Sequence, residues 1–262
     1  MSSENGMIHT TAIVDPSAQL DKNVSIGPYS IIGPDVKVGK NTWVGPHVII
    51  NGPTTIGFGN RIFQFSSIGE IPQDKKYQGE QSELIIGDDN TIREYVSINR
   101  GTEQDLGFTK VGDRNWIMAY VHIAHDCKVG NDTIFANGTT LAGHVVVEDF
   151  AILGGFTLVH QFCRIGTRSF CAMGTALNRD LPPYVMASGS FATTHGLNKE
   201  GLRRSGFSED CIKALHITYK LMVRNKGPKS ENISQVEKIA THYPEVQRFL
   251  DFIISSERGI VQ

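Results

Sequence analysis

One stretch decides the fold: residues 117–163, which read IMAYVHIAHDCKVGNDTIFANGTTLAGHVVVEDFAILGGFTLVHQFC. A large apolar residue returns there at every sixth position. These residues are Ile117, Ile123, Val129, Phe135, Leu141, Val147, Leu153 and Val159. Half-buried strands alternate with a period of two, and amphipathic helices have a period of 3.6 residues. A period of six fits neither, but it is typical of the hexapeptide parallel β-helix, in which three hexads form one eighteen-residue coil of a triangular prism.

The six-residue repeat continues on both sides of this stretch. It starts at Ile8 and resumes in phase at Ile86 after a polar stretch, residues 71–84. A second polar stretch, residues 99–110, delays it by one residue, and the repeat then runs to Leu177. Long loops in a regular solenoid are usually functional or contact another subunit. We therefore predict that both stretches leave the prism as such loops, with a tolerated surface insertion as the alternative for the first.

Two further positions of the hexad have a restricted composition. When the apolar residue is counted as one, position five is mostly small or β-branched, and we expect it to point into the prism beside that residue. Position two is often glycine, and we expect these glycines to supply the positive φ angles that turn the chain between faces. The glycines at position two are Gly27, Gly33, Gly39, Gly45, Gly57, Gly87, Gly112, Gly130, Gly154 and Gly166.

The apolar spacing becomes helical after a segment rich in Pro and Gly, residues 181–190. Ser208 is a favourable N-cap for a helix that ends near Gly227. Residues 230–243 predict a second helix, and Pro244, at a favoured first-turn position, predicts a third. Helices at the end of a solenoid cover strand edges that would otherwise be exposed.

The sequence thus predicts two domains, a β-helix over residues 1–190 and an α-helical domain over residues 191–262. The net charge of −2 provides no basic surface for nucleic acid. We find neither a signal peptide nor the roughly 20 apolar residues of a membrane span. Four cysteines without paired spacing fit a reducing compartment, so we expect a soluble, cytoplasmic protein. These cysteines are Cys127, Cys163, Cys171 and Cys211.

Residues eighteen apart lie above one another in successive coils, so the repeat places distant residues side by side. His125, Gly143 and Gln161 share one column, and Asp126 and His144 share the next. The predicted surface patch consists of His122, His125, Asp126, Gly143, His144, His160, Gln161 and Phe162.

The chemistry of this patch favours acyl transfer. Histidine titrates near neutral pH, so His125 can act as a general base, and Asp126 can hold its imidazole in the useful tautomer. The backbone N–H of Gly143 can face a developing oxyanion. Cys127 and Cys163 fall at the inward position five, so no nucleophilic side chain lies in the column. We therefore predict direct attack on an acyl group by an acceptor hydroxyl or amine.

Other interpretations of the patch remain. Single outward histidines are usually solvated, and several histidines from adjacent coils can bind zinc. The patch has no obvious set of three histidines at one height, so we expect no metal. A metal-dependent prism, such as a carbonic anhydrase-like enzyme, and a non-catalytic scaffold stay open as alternatives.

Six motifs resemble the UDP-N-acetylglucosamine O-acyltransferase family of lipid A biosynthesis, and they span essentially the whole chain. The motifs are HIAHDC at 122–127, LAGH at 141–144, VHQF at 159–162, QDKKY at 73–77, RGT at 100–102 and NKEGLRR at 198–204. The resemblance implies a homotrimer of left-handed β-helices with active sites between subunits. It implies transfer of an (R)-3-hydroxyacyl group from the phosphopantetheine thioester of acyl carrier protein to the 3-hydroxyl of UDP-N-acetylglucosamine, without a further cofactor. A related prism enzyme that uses acetyl-CoA or acylates an amine is the alternative.

The resemblance also implies residue roles. It makes His125 the general base, Asp126 the residue that orients it, and the Gly143 amide the oxyanion donor. It implies substrate contacts for Gln73, Asp74, Lys76, His122, His144, His160, Gln161, Asn198, Glu200 and Arg204.

The sequence departs from the family's pattern at several positions. Asn99 stands where many relatives have His, and Ser205 where relatives often have a second Arg. Met173, which shares a column with Asn137 and Gly155, stands where some relatives have Gly. The family's acyl chain lies in a groove between subunits, so we expect Met173 to close that groove. Because each buried methylene contributes about 0.8 kcal/mol, the expected preference is for roughly ten rather than fourteen carbons. The alternative is that Met173 only fills a subunit contact.

Overall fold

The computed structural model describes residues 6–225 and 227–262. In them a left-handed parallel β-helix is followed by helices, which confirms the predicted fold. Over the described residues there are 27 strands of two to five residues each. In chain order they are β1 (Ile13–Val14), β2 (Gln19–Leu20), β3 (Ser25–Ile26), β4 (Ile31–Ile32), β5 (Val36–Val38), β6 (Trp43–Val44), β7 (Ile49–Ile50), β8 (Thr54–Ile56), β9 (Arg61–Ile62), β10 (Ser67–Glu70), β11 (Glu83–Ile86), β12 (Thr91–Ile92), β13 (Ser97–Asn99), β14 (Phe108–Val111), β15 (Trp116–Ile117), β16 (His122–Ile123), β17 (Lys128–Val129), β18 (Ile134–Phe135), β19 (Thr140–Leu141), β20 (Val146–Val147), β21 (Ile152–Leu153), β22 (Leu158–Val159), β23 (Arg164–Ile165), β24 (Phe170–Cys171), β25 (Ala176–Leu177), β26 (Val185–Ser188) and β27 (Thr193–Leu197).

These strands form the three faces of the prism, and every third strand belongs to the same sheet. The sheet orders are β1-β4-β7-β10-β13-β16-β19-β22-β25, β2-β5-β8-β11-β14-β17-β20-β23 and β27-β26-β24-β21-β18-β15-β12-β9-β6-β3. Successive coils stack in register, with Ile123 opposite Leu141 and Leu141 opposite Val159. The apolar residues of position one fill the interior, where Ile123 and Leu141 are fully buried. Burying such a side chain contributes about 1.5–3 kcal/mol, so the repeated apolar residue stabilises each coil against its neighbours.

The small residues of position five point inward, as predicted. Thr133, Thr139 and Thr157 are fully buried. Because a buried hydroxyl needs a partner, each one bonds within the prism. The Thr157 hydroxyl, for example, donates to the Gly154 carbonyl at 2.6 Å.

The expectation for the glycines of position two is wrong, since none of them has a positive φ angle. The left-handed residue is at position four, and it is mostly not glycine: φ is +60° at Asn23, +63° at Tyr120 and +62° at His144. Position two needs glycine because the next coil lies too close for a side chain. A Cβ atom on Gly39 would lie 2.6 Å from the carbonyl carbon of Gly57.

Both polar stretches leave the prism between strands. The first loop joins β10 to β11 and the second joins β13 to β14, while β10 and β13 pair directly across the first insertion. Asn99 fastens the first loop, because its side-chain amide donates to the carbonyl of Ile71 at 2.8 Å. The Arg100 guanidinium donates to the Gly52 carbonyl and to the Tyr77 hydroxyl. The two loops are thus fixed against each other at their bases.

The chain leaves the prism through β26 and the antiparallel β27 and continues into helices. The helices are α1 (Lys199–Arg204), α2 (Glu209–Tyr219), a π-helical turn (Lys220–Arg224), α3 (Lys229–Ala240) and α4 (Pro244–Ile254). Ser208 caps α2 and Pro244 opens α4, as predicted, whereas the short helix α1 was not predicted. Strand β27 extends a prism sheet past residue 190, where the boundary between the two domains was predicted. The position of that boundary stays a prediction. No helix in the described ranges has the length and apolarity that crossing a membrane requires.

Candidate active site

Two successive coils and the second loop meet at one corner of the prism, which we call the histidine corner (His122, His125, Asp126, Gly143 and His144). Nδ1 of His125 lies 2.8 Å from Oδ2 of Asp126. A carboxylate can only accept this hydrogen bond, so the proton is on Nδ1 and the lone pair is on Nε2. The His125–Asp126 pair predicted from the sequence is therefore present, with Nε2 available as a base.

Asp126 is buried and its carboxylate has three donors. Besides His125, the backbone N–H of Thr102 donates to Oδ1 at 2.8 Å, and the Thr102 hydroxyl donates to Oδ2 at 2.7 Å. The N–H of Asp126 itself donates to the Thr109 hydroxyl at 2.8 Å. Burial alone would raise the pKa of Asp126, but the hydrogen bonds from His125 and Thr102 outweigh it and hold that pKa below its usual value. The carboxylate is thus ionised when it orients the imidazole.

Gly143 lies directly above His125, as the eighteen-residue columns predicted. A Cβ atom at position 143 would lie 2.6 Å from Cε1 and 2.8 Å from Nε2 of His125, so only glycine leaves room for the imidazole. The N–H of Gly143 donates to no group of the described chain. The residue that packs against the imidazole of His125 therefore has a free backbone donor, and such a donor can stabilise an oxyanion.

The other two histidines of the corner each have a polar partner. Nδ1 of His122 lies 2.7 Å from the Ser97 hydroxyl, and burial, followed by the nearby His125, lowers the pKa of His122. Nδ1 of His144 lies 3.2 Å from Oδ2 of Asp105. Both rings are therefore held in one orientation by groups that the sequence did not identify.

One coil further along the prism, His160 and Gln161 are exposed on the surface. Phe162 stacks on His144 with ring centroids 4.4 Å apart, so VHQF and LAGH adjoin as predicted. Arg258 of the C-terminal tail places Nη2 3.4 Å from Nδ1 of His160. No sequence pattern pointed to Arg258, because the tail has no repeat that would place it beside His160.

The two cysteines near the corner are unsuited to nucleophilic attack. Cys127 and Cys163 are fully buried, as predicted from position five. Burial raises the pKa of Cys127 to about 12 and the pKa of Cys163 to about 11. Because the thiolate is the nucleophile, neither residue supplies one near neutral pH. The arrangement therefore favours direct transfer without a covalent intermediate.

Six predicted substrate contacts lie in segments that form no hydrogen bond or ion pair with the histidine corner within the described chain. They are Gln73, Asp74 and Lys76 in the first loop, and Asn198, Glu200 and Arg204 in or before α1. Asn198 caps α1 through a bond from the Gly201 N–H, and Arg204 lies 3.3 Å from Glu200. The Ser205 hydroxyl accepts from Arg168 at 2.6 Å. The roles of these six residues stay predictions.

Met173 lies on another corner, in the column that the sequence predicted. The N–H of Gly174 donates to the Gly155 carbonyl at 2.8 Å, which places Met173 one coil beyond Gly155. Its side chain is 79% exposed. Met173 therefore projects from the prism beside Gly155 and Gly174.

The corner also contains a group of potential metal ligands. One ligand atom each from His125, Asp126 and His144 lie within 4.8 Å of one another. Two imidazoles and a carboxylate are a donor set that zinc accepts. In this arrangement Nδ1 of His125 and both oxygens of Asp126 are already hydrogen-bonded, so a metal would compete with those bonds.

Comparison with protein families gives two matches. The model described as "Udp N-acetylglucosamine O-acyltransferase; Domain 2" matches residues 180–261. The model described as "Bacterial transferase hexapeptide (six repeats)" matches residues 108–143. The first match covers the helical end of the chain and the second covers the coils that form the histidine corner.

Similar proteins cover the chain almost completely. An acyl-[acyl-carrier-protein]–UDP-N-acetylglucosamine O-acyltransferase of Albidiferax ferrireducens is 56% identical over 97% of this chain and 99% of its own. The enzyme of that name from Thiobacillus denitrificans is 54% identical over the same shares. The crystal structure of UDP-N-acetylglucosamine O-acyltransferase from Moraxella catarrhalis superposes with a TM-score of 0.95 at 47% identity, over 97% of this chain and 99% of that one. The Francisella novicida structure gives 0.94 at 41% identity, over 97% and 94%. The chain therefore belongs to the UDP-N-acetylglucosamine O-acyltransferase family.

Proposed function

We propose that this protein transfers an (R)-3-hydroxyacyl chain from acyl carrier protein to the 3-hydroxyl of UDP-N-acetylglucosamine, the first step of lipid A biosynthesis. One observation carries the proposal. Nδ1 of His125 lies 2.8 Å from Oδ2 of Asp126, and the His125 ring packs against Gly143, whose N–H has no partner within the described chain. Base and oxyanion donor are thus adjacent, which direct acyl transfer requires.

In the proposed mechanism, Nε2 of His125 accepts the proton of the acceptor hydroxyl while the hydroxyl oxygen attacks the thioester carbonyl. The carbonyl oxygen becomes an oxyanion and accepts a hydrogen bond from the Gly143 N–H. Asp126 remains ionised and stabilises the imidazolium that forms. When the carbon–sulfur bond breaks, the thiolate takes the proton back from His125, so the enzyme returns to its starting state. A positioned base of this kind contributes about 10²- to 10⁴-fold.

Product analysis tests the proposal. The purified protein is incubated with UDP-N-acetylglucosamine and a mixture of acyl carrier proteins that bear 3-hydroxyacyl chains of different lengths. The products are identified by mass spectrometry. We expect one acylated sugar nucleotide, and we expect the His125→Ala variant to form none while its fold persists. His242→Ala removes an exposed imidazole far along the chain and serves as the control. Normal turnover by His125→Ala would remove the base assignment.

We further propose that Met173 selects an acyl chain of about ten carbons, because each methylene that it displaces from contact is worth about 0.8 kcal/mol. Its exposed side chain beside Gly155 and Gly174 supports this proposal. Rates with a ladder of acyl-carrier substrates should shift towards longer chains in Met173→Gly. If the preference stays the same, Met173 only fills a contact.

We propose that the active unit is a homotrimer with shared sites, which would explain the six predicted substrate contacts in the first loop and in or before α1. The first loop and α1 of one subunit would then complete the corner of its neighbour. Sedimentation should give three times the chain mass. Mixed assemblies of His125→Ala with Arg204→Ala should regain activity that neither variant has alone, since one interface would contain both wild-type residues. Additive, unrescued activities would place the whole site in one subunit.

We also propose a cytoplasmic location. All four cysteines are buried and free, which fits a reducing compartment. Cell fractionation with a periplasmic and a cytoplasmic marker tests this assignment, and recovery with the periplasmic marker would contradict it.

The metal-dependent alternative rests on the three ligand atoms of His125, Asp126 and His144 that lie within 4.8 Å of one another. Elemental analysis of the purified protein and transfer assays after chelation separate it from the metal-free mechanism. Stoichiometric zinc together with loss of transfer after chelation would favour the alternative. Full activity after chelation favours acyl transfer by the base alone.

A further inference from the structure

The second loop does more than connect two strands, because it closes over the histidine corner. Its path is fixed by backbone bonds: the N–H of Gly107 donates to the Thr102 carbonyl at 3.1 Å, and the N–H of Gly101 donates to the Glu83 carbonyl at 3.2 Å. Thr102, near its start, is only 1% exposed. A loop this strongly fastened holds its side chains in defined places.

Thr102 binds the carboxylate that orients the proposed base. Its N–H reaches Oδ1 of Asp126 at 2.8 Å, and its hydroxyl reaches Oδ2 at 2.7 Å. Oδ2 is the atom that also accepts the bond from His125, so the hydroxyl and the imidazole share one oxygen. The position of that oxygen, and with it the direction of His125, therefore depends on Thr102.

Asp105 binds the second imidazole of the corner. Its Oδ2 lies 3.2 Å from Nδ1 of His144, and its Oδ1 lies 3.8 Å from Nζ of Lys128. The opposite ring nitrogen of His144, Nε2, lies 3.8 Å from Asp126. The two ring nitrogens of His144 thus face two carboxylates, and one of these is the carboxylate that binds His125. Lys128 in turn holds Asp105 from the neighbouring face.

We propose that Thr102 and Asp105 are positioning residues, through which the second loop sets the orientation of His125 and His144 for acyl transfer. The inference rests on the proposed function, since it concerns the groups that carry it. Neither residue reaches the reacting atoms. Each acts through the hydrogen bond that it forms with a residue of the corner.

The test separates the Thr102 hydroxyl from the shape of the side chain. Thr102→Val keeps the volume and the backbone bond but removes the hydroxyl, whereas Thr102→Ser keeps the hydroxyl. We expect Thr102→Val to lower kcat about 10- to 100-fold with little change in KM. We expect Thr102→Ser to stay within about threefold of the parent, which a purely structural role would not produce.

A second variant, Asp105→Ala, tests the inference even if Thr102→Val fails to fold. Asp105→Ala should lower kcat about 3- to 30-fold, whereas Glu103→Ala, an exposed acidic residue of the same loop, should not. Thr42→Val removes an equally buried hydroxyl, which donates to the Gly57 carbonyl at 2.9 Å in a coil near the N-terminal end. It should lower the melting temperature without changing kcat.

The outcomes separate the inference from the proposed function. If the parent protein forms no acylated sugar nucleotide, the proposed function fails. If the parent is active and Thr102→Val and Asp105→Ala match its kcat, only the inference is overturned. Equal losses in Thr102→Val and Thr102→Ser would also overturn it, because the hydroxyl would then be irrelevant.

Discussion

Adding one methyl group at Gly143 should displace the imidazole of His125. In Gly143→Ala the new Cβ would lie 2.6 Å from Cε1 and 2.8 Å from Nε2 of that ring. Carbon atoms in contact are about 3.5–4.0 Å apart, so the ring must move by roughly 1 Å. Such a shift stretches the 2.8 Å bond to Asp126. A misplacement of about 1 Å lowers the rate on the order of 10²-fold. The loss of a hydrogen bond to a charged group costs about 1.5–3 kcal/mol, which corresponds to a decrease in rate of about 10- to 100-fold.

The assay measures kcat with UDP-N-acetylglucosamine and a saturating acyl carrier substrate. We expect a decrease of about 100-fold in Gly143→Ala while the circular dichroism spectrum stays unchanged. The steric control is Gly155→Ala, also at position three of its hexad, where the new methyl group meets only the Asn137 carbonyl oxygen, at 3.5 Å. That variant should melt at the parent's temperature.

A double-mutant cycle identifies the cause of any loss. The same clash should lower the melting temperature of Gly143→Ala. In the His125→Ala background there is no ring to displace, so Gly143→Ala should leave the melting temperature unchanged. The reasoning is refuted if Gly143→Ala retains the parent's kcat. It is also refuted if the stability cost is the same with and without His125, because the clash would then lie elsewhere.

Three further predictions concern stability. Gly39→Ala should destabilise the prism by about 1–3 kcal/mol in urea unfolding, because its Cβ would lie 2.6 Å from the backbone of Gly57; an unchanged midpoint would contradict the close approach of the coils. Burial lowers the pKa of His122, so the unfolded chain binds a proton that the folded protein does not, and stability should fall as the pH drops below about 6.5. His122→Asn should weaken this pH dependence of the free energy of unfolding, measured by urea unfolding at pH about 7.5 and about 5.5. If the variant and the parent lose the same free energy between the two pH values, other groups cause the dependence. Phe249→Ala should cost about 3–5 kcal/mol, since Phe249 is fully buried in α4, and a loss below about 1 kcal/mol would mean that the helices collapse around the cavity.

The periodic part of the protein could be predicted from its sequence because each repeat states the same physical requirement. An aliphatic residue at every sixth position defines the interior, and parallel strands in register turn a spacing of eighteen into a vertical column. His125, Gly143 and His144 were therefore placed together correctly. The role of the position-two glycines was not predictable in the same way. Gly39 is required by the distance to the next coil, and that distance is not encoded in any single hexad.

The left-handed corners were missed for a related reason. Residues such as Tyr120 and Phe156 adopt positive φ angles although bulky aromatic residues do not favour them, so the residue types at position four gave no uniform signal. Thr102, Asp105 and Arg258 were missed because they come from a loop and a tail without periodicity. Only Thr102 had a signal, since it belongs to the RGT motif, but the motif did not reveal its partner.

Strands pair only with those of the coils directly above and below, so the prism is close to a one-dimensional stack in which stability is a sum of nearest-neighbour terms. The packing is thinnest at the N-terminal end, where the position-one residue Ile8 is 50% exposed and the next two, Val14 and Leu20, are only partly buried. Ile123 and Leu141, in the coils of the histidine corner, are completely buried. Fraying should therefore start at the first coil and propagate inward with rising cost, and amide exchange should slow in the same direction. The proposed active site lies several coils from the loose end, so changes in sequence at that end can accumulate without disturbing it.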